Sequence, residues 1–249
     1  MLPAGNADVG KSPTMTSALM TQGPLAVAEG RSALPIARTT VLVVDDHRTF
    51  AELLSRALDA EDDLVCVGHA QNSAQALAAV ARLRPDVVLM DVHLPDRDGI
   101  CTSAELVRDH PDLKILILTA HASLADVERA ATAGASGFLA KDGSLTEVLN
   151  GLRTARRGSL ILPDGLLARL SAVVEQDSSV LHWNLTPREL EVLRLLGQGR
   201  DPRCIAKELG VTLHTCRGYV KGVLAKLGVH SQLEAVVLAT RTGLIRLGD

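Results

Sequence analysis

Three carboxylates, a hydroxyl and an amine stand at or just past the ends of short apolar runs in this sequence. Asp91 follows Val87-Val88-Leu89-Met90 and precedes a proline turn, His93-Leu94-Pro95. Asp45 and Asp46 follow Val41-Leu42-Val43-Val44, Thr119 follows Leu116-Ile117-Leu118, and Lys141 follows Phe138-Leu139-Ala140. Carboxylates brought together repel one another unless a hard cation joins them. Mg²⁺ suits such a site, because it takes few protein oxygens, keeps waters and pairs with phosphate oxygens. Asp46 and Asp91 are the expected direct ligands, with Asp45 acting directly or through water. A carboxylate can also attack a phosphoryl group and become an aspartyl phosphate, and the central Asp91 is the expected acceptor. The metal would neutralise charge on the transferred oxygens. Lys141 would supply a second cation, and Thr119 could donate its hydroxyl to a bound phosphoryl oxygen. Phosphorylation adds about −1.5 to −2 of charge, which would draw both residues inward.

The elements that must position these groups alternate. Strands are expected near 40–45, 64–69, 86–91, 114–119 and 137–140, and helices near 48–60, 73–84, 98–110, 123–133 and 145–157. The second helix carries Ala74, Leu77, Ala78 and Ala81 at three- and four-residue spacing, with Asn72 or Ser73 as cap and Pro85 just past its end. The third strand is apolar throughout, as a strand covered on both faces must be. Five βα units with short loops fit a doubly wound five-stranded parallel sheet of the α/β class. Ligands of such sheets bind beyond the carboxyl ends of the strands, where the five polar groups converge.

The rest of the chain is organised differently. Residues 1–38 are rich in Ala, Gly, Ser, Thr and Pro without a sustained period, and are expected to form a disordered leader. Residues 39–157 make the α/β domain. Residues 158–182 read as a linker, with a short helix around 163–174. Residues 183–249 read as a small all-α unit. Its start signal is Thr186-Pro187-Arg188-Glu189: a capping Thr, Pro in the first turn and Glu three residues after the cap. That helix ends at Gly197 and Gly199. A short helix at 202–209 closes at Gly210, a third runs from a cap at Thr212 to Leu227, and a fourth spans about 231–243. The second and third have helix-turn-helix spacing. On the third, Arg217 and Lys221 lie four apart on one face, while Val220, Val223, Leu224 and Leu227 face a core. Such a helix suits the major groove, where Arg and Lys read guanine edges or grip phosphates. Thr212, Thr215 and Tyr219 complete the expected DNA-contact set. Paired half-sites multiply a weak single-domain affinity, so a homodimer is expected on DNA.

Charge supports the division. The chain carries a net charge of −3, yet residues 39–157 hold 12 Lys and Arg against 18 Asp and Glu (−6), whereas residues 183–249 hold 10 against 6 (+4). An acidic half suits a cation or phosphate site, and a basic half suits a polyanion. The four cysteines form no CxxC and are expected to be reduced. No apolar run approaches membrane-spanning length, and no secretory block opens the chain, so a cytoplasmic location is expected.

With these residues in view, 40–157 resembles a response-regulator receiver domain, with Asp45-Asp46, Asp91, Pro95, Gly99, Thr119 and Lys141 all in the family's places. The resemblance implies a flavodoxin-like sheet and phosphorylation of Asp91 by a sensor histidine kinase, with self-catalysed phosphoryl transfer rather than enzymatic turnover. It also implies that the backbone carbonyl of His93 is a metal ligand, and that Phe138 is an aromatic switch reporting on Thr119 through packing alone. The segment from Leu185 to Gly228 resembles the LuxR-type helix-turn-helix domain, and the pair of domains resembles the NarL/FixJ class of transcription regulators. In that family the last helix often forms the dimer contact on DNA. Three residues depart from the usual pattern, Cys216, Gly218 and Tyr219. An aspartate-based phosphatase of the haloacid dehalogenase type would want a second Asp at position 93, where this chain has His. An alternative within the family is a receiver that acts without phosphorylation, switched by a small ligand or a partner protein.

Overall fold

The computed structural model describes residues 38–120, 123–162 and 183–245. The leader expected at 1–38 (except Arg38) and the short helix expected at 163–174 lie outside the described residues. The first domain runs β1 (Thr39–Val44), α1 (Arg48–Asp59), β2 (Leu64–Ala70), α2 (Ser73–Leu83), β3 (Val87–Asp91), α3 (Gly99–Asp109), β4 (Lys114–Thr119), α4 (Leu124–Thr132), β5 (Gly137–Ala140) and α5 (Leu145–Arg157). All neighbouring strands pair in parallel, in the order β2-β1-β3-β4-β5. The order reverses between β1 and β3, so a crevice opens above their carboxyl ends.

Side chains alternate across the sheet with a period of two, and both faces are dry. Val41, Val43, Leu89, Leu116 and Leu118 pack with Leu54 and Leu58 of α1 and Leu149 and Leu152 of α5. Leu42, Val44, Val88, Met90, Ile115, Ile117 and Phe138 pack with Ala76 and Val80 of α2, Leu106 of α3 and Val127 of α4. Full burial of each large aliphatic contributes about 1.5–3 kcal/mol, so an aliphatic core suffices where aromatics are few.

Helix starts shift by one residue from their expected places where a side chain caps. Asp98 precedes α3 rather than opening it, and its Oδ1 accepts from the Ile100 and Cys101 amides at 2.8 and 3.3 Å. Ser123 and Ser231 act likewise before their helices, whereas α5 starts at Leu145 as expected, with Ser144 as its cap.

One pairing was not anticipated. The outer edge of β5 is taken by the segment after α5: Gly137 bridges Ile161 in parallel, and the Phe138 amide donates to the Ile161 carbonyl at 2.8 Å. A Cβ at Gly137 would stand 2.4 Å from that carbonyl oxygen, which is backbone and cannot swing aside. Gly137→Ala is therefore expected to expel Ile161 and to lower stability by about 1–3 kcal/mol. Urea unfolding checks the cost, and loss of amide-exchange protection at Phe138 checks the cause.

The second domain contains α6 (Pro187–Gly197), α7 (Pro202–Glu208), α8 (Leu213–Leu227) and α9 (Gln232–Arg241). Thr186 and Glu189 form the expected capping box, each side chain accepting from the other's amide, at 3.2 and 2.7 Å. Val192 and Leu196 of α6, Ile205 of α7, Val223 and Leu227 of α8, and Leu233 and Val236 of α9 close the core. α9 also lies against α4: the Ser231 hydroxyl donates to the Ala131 carbonyl at 3.2 Å, and Arg241 sits 3.3 Å from Glu128. No single described helix is long and apolar enough to cross a membrane.

Candidate functional site

The carboxyl ends of β1, β3 and β5 bring Asp45, Asp91 and Lys141 together. Asp45 and Asp91 are buried, and Asp46 is exposed beside them. Lys141 Nζ lies 2.7 Å from Asp91 Oδ2 and 2.8 Å from Asp45 Oδ2. The first contact is a hydrogen bond. The second is a close ion pair poorly directed for one, which leaves Asp45 Oδ2 as a buried oxygen without a hydrogen bond. Burial pulls the Lys141 amine toward neutrality, but the two close carboxylates of Asp45 and Asp91 outweigh it and hold its pKa above the ordinary lysine value. The ammonium also stands 5.7 Å from the centre of the Phe50 ring.

Asp45, Asp46, His47 and Asp91 each offer one ligand atom, and all four atoms lie within 4.8 Å of one another. His47 is the residue that sequence reasoning missed. Its Nδ1 lies 2.7 Å from Asp46 and 3.2 Å from Asp45, and its amide donates to Asp45 Oδ1 at 2.9 Å. Adjacency to the two aspartates was the only signal available. The carboxylate set, with one unbonded buried oxygen, fits a hard divalent cation taking few protein oxygens. His93 is exposed, and its amide donates to Asp91 Oδ1 at 3.3 Å.

The backbone around Asp91 is fixed by Gly99. A Cβ there would fall 1.8 Å from the Asp91 carbonyl oxygen, so only glycine lets α3 begin this close to β3. Asp98, just before it, pairs with Arg129 of α4 at 2.7 Å. Burial opposes the Asp98 charge, but Arg129 and the two capped amides outweigh it and hold the carboxyl below its usual range. The pocket loop is thereby tied to α4, the helix that carries α9.

Thr119 is buried at the end of β4, and its carbonyl accepts from the Lys141 amide at 2.9 Å. Phe138 is fully buried in the core, one residue from the register partner of Leu118. The described geometry thus puts Thr119 beside the pocket and Phe138 beneath it, touching the post-α5 segment through its backbone.

On α8, Arg217 and Lys221 are exposed, as expected for one outward face; Thr215 and the cap residue Thr212 are exposed too, while Cys216, Val220, Val223 and Leu227 are buried. Thr212 is also the helix cap, accepting from the Thr215 amide at 3.1 Å, and the two hydroxyls lie 2.9 Å apart. Tyr219 is only half-buried and packs against the core with its ring. The two helix glycines differ in cause. A Cβ at Gly218 meets nothing within 4 Å, whereas one at Gly222 would lie 2.7 Å from Glu189 Oε1. Glu189 cannot easily move, because Lys226 and Thr186 hold its other oxygen at 2.6–2.9 Å. Gly218→Ala should therefore stabilise by roughly 0.5–1 kcal/mol, and Gly222→Ala should destabilise. Paired thermal melts of the two variants check the opposite signs.

Comparison with known proteins finds two family matches along the chain. The family described as "Response regulator receiver domain" matches residues 41–153, and "Bacterial regulatory proteins, luxR family" matches 183–239. The chain is 30% identical over 206 residues to the response regulator protein VraR of Staphylococcus aureus, covering 83% of this chain and 98% of that protein. A solved LuxR-family response regulator from Aurantimonas sp. is 25% identical with a TM-score of 0.51, covering 53% of this chain and 94% of the other. A structure of two RcsB dimers bound to two parallel DNAs is 25% identical with a TM-score of 0.50, covering 81% and 98%.

Proposed function

Because the chain belongs to the response regulators that join a receiver domain to a LuxR-type DNA-binding domain, we propose that phosphorylation of Asp91 by a sensor histidine kinase controls its grip on promoter DNA. The observation that carries this reading is the Asp91 carboxylate, buried at the end of β3 with a lysine ammonium 2.7 Å away and two more carboxylates beside it. An Asp91 oxygen attacks the phosphorus of the donor's phosphohistidine. The O–P bond forms, the P–N bond breaks, and its electron pair leaves on the imidazole.

Asp45, Asp46 and Asp91, with the His93 carbonyl, would hold Mg²⁺, which when bound neutralises the transferred oxygens. Lys141 gives up its contact with Asp91 and pairs with the new phosphoryl group. The Thr119 hydroxyl turns toward a phosphoryl oxygen, and Phe138 repacks into the space beside it.

Two physical routes lead from there to the DNA-binding domain. One is backbone, from Phe138 to Ile161 in the connecting segment. The other runs through Asp98 and Arg129 to α4, whose far end touches α9 at Ala131 and Glu128. Release of α9 frees the helix that in this family often forms the dimer contact, so a phosphorylated or DNA-bound homodimer follows. Thr212, Thr215, Arg217, Tyr219 and Lys221 would meet the duplex. Such a protein works in the cytoplasm, where kinase output and DNA meet.

Selection of a random duplex library with the acetyl-phosphate-treated protein would yield its operator. Affinity for that operator is expected to rise at least several-fold on phosphorylation. Equal affinity with and without label, at full occupancy of Asp91, sinks the switch.

A further inference from the structure

We infer that the seam between the receiver and the DNA-binding domain is a site for a small phosphate-class anion, which bridges the two domains and withholds Arg217 from DNA. The seam holds an open cleft of about 280 Å³ lined by Thr39, Asp63, Arg153, Arg156, Arg203 and Arg217. Thr39 opens β1, Asp63 precedes β2, and Arg153 and Arg156 come from α5. Arg203 opens α7, and Arg217 belongs to the outward face of α8.

Four guanidiniums and one carboxylate line the site, and that carboxylate is spent on Arg153. Asp63 grips Arg153 through two hydrogen bonds of 2.7 Å, while Glu61 takes the same guanidinium at 2.7 Å. Arg156 donates to the Thr39 hydroxyl at 3.1 Å. Among the described residues no carboxylate is paired with Arg203 or Arg217. Like charges gathered from two domains oppose their closure. The same charges become a binding site as soon as an anion with several oxygens enters, because each guanidinium fork can take two phosphate oxygens.

Size narrows the ligand. The cleft is just under the range of pockets for drug-sized molecules and far too small for a duplex, so a diphosphate group is the match. A solvated arginine seam holding only water and chloride is the plain alternative, and it predicts no preference for phosphate. Because the anion needs Arg217 held at the receiver and DNA needs it released from there, the two ligands must oppose each other.

The test uses the full-length chain without divalent metal. Isothermal titration with inorganic pyrophosphate is compared with sodium chloride of equal ionic strength. One site per chain is expected, weakened roughly tenfold or more (about 1.4 kcal/mol per decade) in Arg156→Gln and Arg203→Gln. Arg156→Lys, which keeps the charge but loses the fork, should fall between. Circular dichroism melts establish that each variant is folded.

In a second arm, which rests on the DNA-binding reading above, saturating pyrophosphate raises the operator Kd several-fold beyond matched chloride. It should do so in wild type and not in Arg156→Gln, a receiver variant remote from DNA. Asp91→Asn should bind pyrophosphate as wild type does, so failure of the phosphorylation switch leaves this site standing. Heats no larger than those of chloride overturn the site. Heats that vanish in Arg217→Gln but persist in Arg156→Gln overturn the bridge and leave an anion on the DNA face alone.

Discussion

Asp91→Asn will leave the receiver folded and incapable of phosphorylation. Incubated with acetyl phosphate and Mg²⁺, wild type should shift on a phosphate-affinity gel and the variant should not shift at all. The amide keeps the shape and one acceptor oxygen for Lys141 but is no nucleophile, so the loss is complete rather than graded. The same change removes one of two buried negative charges from beside Lys141, so the folded state should tolerate it. A variant that still takes label would mean another side chain is the acceptor. Asp45, buried 2.8 Å from the same ammonium, would be the first to examine. If the variant took no label yet answered the cognate signal in cells like wild type, the receiver would be responding to a ligand or partner instead.

Lys141→Ala is expected to have the largest effect on stability. It strips the ammonium from two buried carboxylates and leaves them facing each other. Breaking one partner out of a buried ion pair costs about 3–5 kcal/mol, a large share of a domain's total. The variant should unfold at markedly lower urea, and Mg²⁺ should recover much of the loss by replacing the missing positive charge. A variant insensitive to Mg²⁺ would show that the carboxylates do not form a cation site.

The pH dependence of Lys141 has a definite sign. Its pKa is raised on folding, so its contribution is complete below the ordinary lysine value of 10.5. That contribution is lost as pH climbs through the higher folded value. Wild type should therefore lose stability in that alkaline range, and Lys141→Ala should lose less.

The sheet and the acidic pocket were legible because each depends on short-range pattern. An apolar run that ends in Asp, Thr or Lys marks both a buried strand and the polar end of it. The Thr186-to-Glu189 box and the glycine stop at Gly210 are equally local. What was not legible depends on residues far apart in the chain. Nothing in the string around Ile161 announces a partner at Gly137, and nothing in Arg129 points to Asp98. The reason for Gly222, the buried Glu189 carboxylate, lies on another helix. His47 was missed because only the folded loop turns its ring toward the aspartates. The outward face of α8 followed from periodicity, whereas the position of Arg217 at a cleft shared with α5 required the packed domains.

The strip of chain at Ile161 has a consequence for solubility. An uncovered outer strand offers its main-chain donors and acceptors to any passing polypeptide, and short sheets with such a rim tend to stack into aggregates. Here the chain supplies its own cover, so whatever peels Ile161 away also bares a sticky rim at Phe138. A signalling protein built like this must shield that rim again quickly, and a second subunit laid along it would serve as the shield.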